Sequence, residues 1–335
     1  MSSERERYSK LAPLGVELRT KLAISAVNFF APLAYKDNCA VLGKTPDPKA
    51  IRPLGSSDFV DYLQKKGILD APLRYAERIR QLLERLAASG ILIEMGQGSN
   101  VMLPKLYYCL KELTALQKTG VFWLAPALGD DFLFHLAAPG IVHITGVNKE
   151  GDVCAGTGII FHPHHILTCA HVVNDMTVDQ RQNFQCVECT IDKKFAHEKA
   201  DIAVIRVSQP LQPVPGLSFL SPRIAQPVVT LGYPKIPFAR KAALTIQRGE
   251  VTNESVTTLD GHRVFLYSAI ARPGNSGGPI ISSDGHVIGI TMQNLLQDDR
   301  ENAFSPHYAG IPSDEIAGVL DDLGIDVQIP FEDFN

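Results

Sequence analysis

The chain has 335 residues, of which 45% are hydrophobic and 20% charged, and its formal net charge is −4. This composition excludes a wholly disordered chain and supplies enough apolar side chains for two ordinary domains. The charge is unevenly spread: residues 1–130 carry 18 basic and 13 acidic side chains, and residues 131–335 carry 14 and 23. The first part is therefore only mildly basic, which permits contact with nucleic acid without requiring it.

The start of the chain predicts a cytoplasmic protein. Met1 is followed by a charged stretch without an apolar run, which is not the pattern of a secretory signal. The most apolar region, 121–144, is interrupted by Gly129-Asp130-Asp131, so we expect no membrane span. In that compartment the six cysteines are expected to be reduced thiols.

Residues 1–130 are predicted to form a mostly helical domain. Two short strands are predicted at 91–95 and 101–103, around a turn rich in Gly and Asn, and a further helix at 105–118. The strongest helix is predicted at 72–89, where one apolar stripe is formed by Tyr75, Ile79, Leu82, Leu83 and Leu86. Helices followed by a small hairpin resemble a winged helix-turn-helix.

From about Gly140 onward, short β-branched runs recur between turn residues. They lie at 141–147, 158–161, 166–169, 202–207, 228–231, 264–268, 278–281 and 287–292. Many short strands at close spacing predict an all-β barrel or sandwich. We therefore expect two domains, a helical one at 1–130 and an all-β one at 140–330.

The segment Gly274-Asn275-Ser276-Gly277-Gly278-Pro279 indicates a candidate nucleophile, Ser276. A serine hydroxyl attacks a carbonyl only when a base takes its proton and the resulting oxyanion is stabilised. Backbone N–H groups near the serine can supply that stabilisation, and glycines let them converge on one small space.

The base and its orienting group must come from other segments. His171 directly follows an apolar stretch that ends at Ala170, and Asp201 directly precedes the buried-looking run 202–207. A histidine that takes a proton needs a third group to fix its tautomer and to stabilise its protonated form. Asp201 is the candidate for that role.

The motifs Thr168-Cys169-Ala170-His171, Ala200-Asp201-Ile202-Ala203 and Gly274–Pro279, in this order, resemble the trypsin-like serine peptidase superfamily. The compact spacing between His171, Asp201 and Ser276 is more similar to the HtrA/Deg branch than to digestive enzymes. The resemblance covers about 140–325, and it implies a double antiparallel β-barrel of chymotrypsin type.

The resemblance also implies a reaction, the cleavage of protein substrates through an acyl-enzyme. Ser276 would attack the scissile carbonyl, His171 would act as general base and then as general acid, and Asp201 would hold the tautomer of His171. The N–H groups of Gly274 and Ser276 would form the oxyanion hole. Ile270 would lie at the base of the primary specificity pocket, which predicts preference for small or medium apolar P1 residues.

Control of the enzyme is predicted to depend on the N-terminal domain. Asn275 stands where secreted zymogens of this superfamily have the Asp that pairs with a new N-terminus, and no C-terminal PDZ domain is expected. We therefore expect the N-terminal domain to recruit a protein partner or to restrain the active site. No cofactor is expected.

Two further clusters are interpreted as structural, so no metal site is predicted. The histidines His162, His164 and His165 lie in a turn, and Cys186 with Cys189 forms a lone CxxC without a second pair.

Two alternatives to the regulated endopeptidase remain open. One is a DNA-binding regulator with a self-cleaving protease domain, in which Arg74, Arg78 and Arg85 would contact phosphates, although Glu77 and Glu84 dilute that patch. The other is a non-catalytic scaffold with a protease-like fold.

Overall fold

The computed structural model describes residues 14–197, 199–259, 261–292, 308–332 and 334. The chain divides into two compact units. The first comprises Met1–Leu113 with Pro126–Gly129, and the second comprises Thr114–Ala125 with Asp130–Asn335. The main division therefore lies earlier than the predicted boundary at residue 130.

The first unit combines helices with a small antiparallel sheet. Its described helices are α1 Val16–Phe30, α2 Tyr35–Leu42, α3 Ser56–Lys65 and α4 Ala76–Ala88. Short 3₁₀ segments lie at Pro32–Ala34 and Pro72–Tyr75. The strands are β1 Leu54–Gly55, β2 Ile93–Gln97 and β3 Lys105–Tyr108, in the order β1-β3-β2.

The apolar stripe predicted for the main helix of this unit forms its core. Four of its members are buried on α4, namely Ile79, Leu82, Leu83 and Leu86. Tyr75 lies just before α4 and is only partly buried. Aromatic rings from α1 and α3 complete the core, since Phe29 and Phe59 are buried with their ring centroids 5.4 Å apart.

The prediction of a helix at 105–118 is wrong. Lys105–Tyr108 forms β3, and only a 3₁₀ turn, Gln117–Thr119, follows in that range. Tyr107 and Cys109 are buried while Leu110 is exposed, so burial alternates with the period of a strand. The hairpin itself is present, but both of its strands lie later in the sequence than predicted.

The second unit begins with Thr114–Ala125, which the sequence pattern predicts to be part of the helical domain. Phe122, Trp123 and Leu124 are all buried. Gly120 packs so closely on Pro215 that a Cβ there would lie 2.2 Å from the carbonyl oxygen of Pro215. This segment is therefore built into the β-rich unit.

The first large sheet of the second unit is antiparallel and has seven strands. They are β4 Ile141–Val147, β5 Val153–His162, β6 His165–Thr168, β7 Thr177–Val178, β8 Arg181–Phe184, β9 Val187–Ala196 and β10 Ala203–Val207. Their order is β7-β4-β5-β6-β10-β9-β8. Gln182 of β8 bonds both backbone groups of Thr145 on β4, donating to its carbonyl oxygen at 2.9 Å, and so curls the sheet toward closure.

The second large sheet also has seven strands. They are β11 Ser218–Phe219, β12 Pro227–Gly232, β13 Thr245–Thr257, β14 Arg263–Tyr267, β15 Pro279–Ser282, β16 His286–Thr291 and β17 Tyr308–Pro312. Their order is β11-β16-β15-β12-β13-β14-β17, and an additional pairing of β16 with β17 closes a ring. Each of the eight predicted runs lies on a strand of these two sheets.

Short helices precede, connect or follow these strands along the chain. They are α5 Ala125–Leu128, α6 Asp130–Ala137, α7 Ala170–Asn174 and α8 Ser313–Asp322. α7 directly follows β6 of the first sheet, and α8 directly follows β17 of the second. The two curled sheets fit the double β-barrel of chymotrypsin type that the sequence motifs predict.

Candidate active site

Strand pairing brings His171 and Asp201 together. β6 ends just before α7, which carries His171, and β10 begins just after Asp201; Thr168 of β6 pairs with Ala203 of β10. Asp201 binds His171 twice, because its Oδ1 accepts the backbone N–H at 2.9 Å and its Oδ2 lies 2.7 Å from Nδ1. The imidazole orientation is therefore fixed, while about a fifth of each side chain remains exposed (22% and 17%).

Cys169 lies behind this pair and is fully buried. Its Sγ donates to the carbonyl oxygen of Thr291 at 3.2 Å. Burial, reinforced by the charge of nearby Asp201, raises the pKa of the Cys169 thiol well above its ordinary value. The thiol therefore stays protonated at neutral pH.

Ser276 lies in the loop between β14 and β15. Two turns shape that loop, with Asn275 N donating to Arg272 O and Gly278 N donating to Asn275 O, each at 2.9 Å. Ser276 itself is nearly buried, and its carbonyl oxygen accepts the N–H of Thr157 on β5 at 2.9 Å.

The next residue, Gly277, fixes where this loop lies. It has a φ of +81°, and a Cβ there would lie 2.3 Å from the carbonyl oxygen of Thr157 and 3.0 Å from the backbone nitrogen of Cys169. Only glycine fits such a close approach. The serine loop therefore lies against the segment that leads into His171.

No hydrogen bond joins Ser276 Oγ to the imidazole in the described structure, and such a bond often tightens only when substrate binds.

The Pro273–Gly274 peptide beside Ser276 has a fixed orientation. Lys235 N donates to the carbonyl oxygen of Pro273 at 3.0 Å. Because the peptide bond is trans, the N–H of Gly274 points the opposite way from that carbonyl. Within the described ranges, no acceptor binds the N–H of Gly274 or of Ser276. Both donors are therefore available to a ligand.

Gly274 cannot be replaced by a larger residue without disturbing this loop. Its φ is +99°, a conformation that favours glycine. A Cβ would also lie 2.4 Å from the carbonyl oxygen of Tyr233. The segment that follows β12 therefore packs directly on Gly274.

Thr157 is a site residue that the sequence reasoning missed. Its hydroxyl donates to the carbonyl oxygen of Gly274 at 2.6 Å and accepts the N–H of Tyr233 at 2.9 Å. Its carbonyl oxygen accepts the hydroxyl of Thr168 at 2.8 Å. This buried side chain thus ties together the loop before Ser276 and the segment after β12. Its place between two glycines, Gly156 and Gly158, was the available signal in the sequence.

Ile270, the predicted specificity residue, lies in the loop after β14 with 45% of its surface exposed. Its neighbours hold it in place, because Ala269 is buried in a core cluster and Ala271 packs against that cluster. Arg272 is exposed at the same loop. The side chain of Ile270 is therefore accessible to a substrate.

The histidine turn is held by hydrogen bonds. His162 Nδ1 lies 3.1 Å from His165 Nδ1, and His164 Nδ1 lies 2.9 Å from the carbonyl oxygen of Val207. Burial lowers the pKa of both His162 and His165. These rings are therefore predominantly neutral and already bonded at neutral pH.

In the part of the chain that the structure describes, one group of three side chains has the spacing of metal ligands. It consists of Cys169, His171 and Asp201, with ligand atoms within 4.8 Å of one another. A metal would need the Cys169 thiolate, which burial disfavours. All six cysteines are free, with Cys189 buried and Cys186 exposed.

Comparison with known proteins points to a peptidase. Residues 156–290 match the family model described as a trypsin-like peptidase domain. The serine protease Rv3671c of Mycobacterium tuberculosis is 26% identical over 284 residues, which cover 77% of this chain and 68% of that protein. The chain is a serine endopeptidase. Its peptidase domain contains each of the three predicted catalytic residues.

Other similar proteins are of the HtrA type. The Do-like HtrA of Bacillus subtilis is 26% identical over 189 residues (52% of this chain, 40% of that protein), and HTRA1B of Danio rerio is 32% identical over 201 residues (55% and 39%). The chain thus spans about two thirds of the mycobacterial protein and less than half of these two HtrA proteins.

Among solved structures, the peptidase resembles the active form of the Rv3671c protease from M. tuberculosis. That likeness has a TM-score of 0.48 at 22% identity and covers 59% of this chain and 86% of that one. In the chain as described, no helix is both long and apolar enough to cross a bilayer.

Proposed function

We propose that the endopeptidase cleaves protein substrates through an acyl-enzyme, with His171, Asp201 and Ser276 as its triad. The observation that carries this proposal is the 2.7 Å contact between His171 Nδ1 and Asp201 Oδ2, beside the loop of Ser276. Asp201 holds the proton on Nδ1, so that Nε2 is left to take the proton of Ser276 Oγ. Protonated His171 then returns that proton to the leaving amine.

The N–H groups of Gly274 and Ser276 stabilise the oxyanion in this proposal. The support is the orientation of the Pro273–Gly274 peptide, whose carbonyl is turned to Lys235. Preorganised donors of this kind typically contribute a factor of about 10² to 10³ each to kcat.

Reaction of the full chain with a fluorophosphonate probe tests the triad. The wild type should be labelled at Ser276, Ser276→Ala should not be labelled, and Ser283→Ala, in a turn of the same barrel, should be labelled as well as wild type. Labelling that persists in Ser276→Ala, or a wild type that neither reacts nor cleaves casein, would refute the triad. The second result would favour the non-catalytic scaffold.

Specificity for small or medium apolar P1 residues belongs to the same proposal. Its support is the accessible, uncharged side chain of Ile270. Digestion of a proteome-derived peptide library should show cleavage mainly after residues such as Ala, Val or Leu. Strict cleavage after Arg or Lys would contradict it.

For the first unit we propose a winged-helix-like protein-docking module. Support comes from the sheet order β1-β3-β2 beside helices α1 to α4. Exposed apolar side chains at the tip of the β2–β3 hairpin, Val101 at 94% and Met102 at 74%, suit contact with a protein. In α4, Arg80 pairs with Glu77 and Glu84 at 2.7 Å each, which reduces the positive charge offered to phosphates.

Two measurements test this role. Fluorescence anisotropy with a labelled duplex should show no salt-dependent binding by the full chain. Binding that weakens with salt and on Arg78→Glu/Arg85→Glu would instead favour the DNA-binding regulator.

Fluorophosphonate labelling of a chain that begins at Thr114 should be faster than that of the full chain if the first unit restrains the site. Equal rates would favour recruitment.

We also propose that the protein works in the cytoplasm. Its support is the set of six free cysteines, four of which are buried. Fractionation of the native host cells, with the chain detected by antibody, should find it with cytoplasmic markers.

A further inference from the structure

The second unit contains a basic cavity beside the proposed oxyanion hole. It has a volume of about 630 Å³ and borders Pro273 and Gly274. One wall is formed by Cys154 and Ala155 of β5, and the other by residues of the segment 233–242 that follows β12. We call it the basic cavity.

Its charge is positive and has no neutralising partner on its walls. Lys235, Arg240 and Lys241 line the cavity, and no Asp or Glu does. In the described ranges none of these three cations forms an ion pair. His143 also lines the cavity, and its ring is predominantly neutral at pH 7 because burial lowers its pKa. A carboxylate entering the cavity would therefore meet three cations without competition.

The position of the basic cavity decides which part of a substrate reaches it. It begins at Gly274, where a Cβ would lie 2.4 Å from Tyr233 O and 3.3 Å from Lys235 N. None of its lining residues belongs to 263–272, the segment that carries Ile270. Consider a peptide with its scissile carbonyl at Gly274 and its P1 side chain toward Ile270. Its leaving-group side must then lie toward the cavity.

We propose that the basic cavity binds acidic side chains in the first residues after the scissile bond. The substrates of this endopeptidase are then proteins with Asp or Glu on the leaving-group side of the cleavage site. An extended peptide advances about 3.3 Å per residue, so one or two such side chains fit a cavity of this size. This inference rests on the proposed triad and on the proposed place of Ile270.

Matched peptide substrates test it with the full chain. A cleaved sequence is first identified in a peptide library, and quenched fluorescent versions are then made with Glu or with Gln at the first two positions after the scissile bond. We expect kcat/KM to be about fivefold higher for the Glu version at low salt, since partly exposed ion pairs contribute modestly. The preference should shrink at 0.5 M salt.

Variants assign the preference to the cavity. Arg240→Gln/Lys241→Gln should cleave the Glu peptide and the Gln peptide at nearly equal rates. Lys193→Gln/Lys194→Gln, on exposed positions of β9, removes the same charge and should keep the preference. Arg240→Glu/Lys241→Glu should reverse it, favouring a peptide with Lys at these positions.

The inference and the proposed function fail in different ways. A wild type that reacts with fluorophosphonate and cleaves both peptides at equal rates overturns the inference alone. A wild type that neither reacts nor cleaves any library peptide overturns the proposed function, and the inference with it.

Discussion

A single hydroxyl connects several parts of the peptidase site. Thr157 belongs to β5 of the first sheet, yet its Oγ1 bonds Gly274 O in the serine loop and Tyr233 N after β12. Its backbone N–H also bonds Ser276 O. The position of the proposed oxyanion donors therefore depends on a residue that touches no substrate. Thr157 is a positioning residue.

Replacement of Thr157 by Val keeps the shape of the side chain and removes both hydroxyl bonds. We expect Thr157→Val to lower kcat by about 10- to 100-fold, because loosening the loop weakens an oxyanion donor. Thr157→Ser keeps the hydroxyl and should retain most of the activity. Steady-state kinetics on one peptide substrate, with circular dichroism to verify folding, gives the measurement.

A merely structural role would give a different result for Thr157. If the residue only packed the core, Thr157→Val would be as active as wild type once folded, and Thr157→Ser, which loses a methyl group, would be the less stable of the two. Rescue of kcat by Ser but not by Val therefore separates positioning from packing.

At the scale of elements, α4 illustrates how a predicted pattern becomes a core. Leu83 is fully buried on the face that was predicted from the apolar spacing. Leu83→Ala should lower the free energy of unfolding of the first unit by about 3 kcal/mol, the usual cost of a cavity at a buried leucine. Urea titration of the full chain, followed by circular dichroism at 222 nm, measures this change.

The matched control is Leu73, in the 3₁₀ segment just before α4, which is 67% exposed. Leu73→Ala should change the same free energy by less than about 0.5 kcal/mol. Equal effects of the two substitutions would show that Leu83 is not part of a close-packed core.

Helices and strands could be predicted from the sequence where one face is buried, because apolar residues then recur with the period of the helix or the strand. The stripe on α4 and the eight short strands follow that rule. The segment 105–118 was wrongly predicted as a helix because the spacing of its leucines also fits a helix. In the structure, pairing with β1 and β2 makes the start of this segment a strand. Sequence spacing gave no sign of the hydroxyl bonds of Thr157, since its partners are more than 70 residues away.

At the scale of the whole molecule, the division between the two units lies within a region that looks helical and apolar in the sequence. Residues 114–125 belong to the peptidase unit, although the composition placed them before the predicted boundary at 130. Gly120 lies against Pro215, and Gly285 lies so close to Phe122 that a Cβ there would be 2.4 Å from its carbonyl oxygen. These approaches link positions 95 or more residues apart, which no local pattern reveals.

This division predicts how truncated chains behave. A chain that begins at Thr114 keeps the buried side chains of Phe122, Trp123 and Leu124, whereas a chain that begins at Asp131 loses them. Burial of three such side chains contributes roughly 5 kcal/mol, so the shorter chain should unfold at a clearly lower temperature, or fail to fold. Thermal unfolding monitored by circular dichroism, with fluorophosphonate labelling at 25 °C, compares the two. Equal unfolding temperatures and equal labelling would show that 114–130 are dispensable for the peptidase unit, and its boundary would then lie where the composition first indicated.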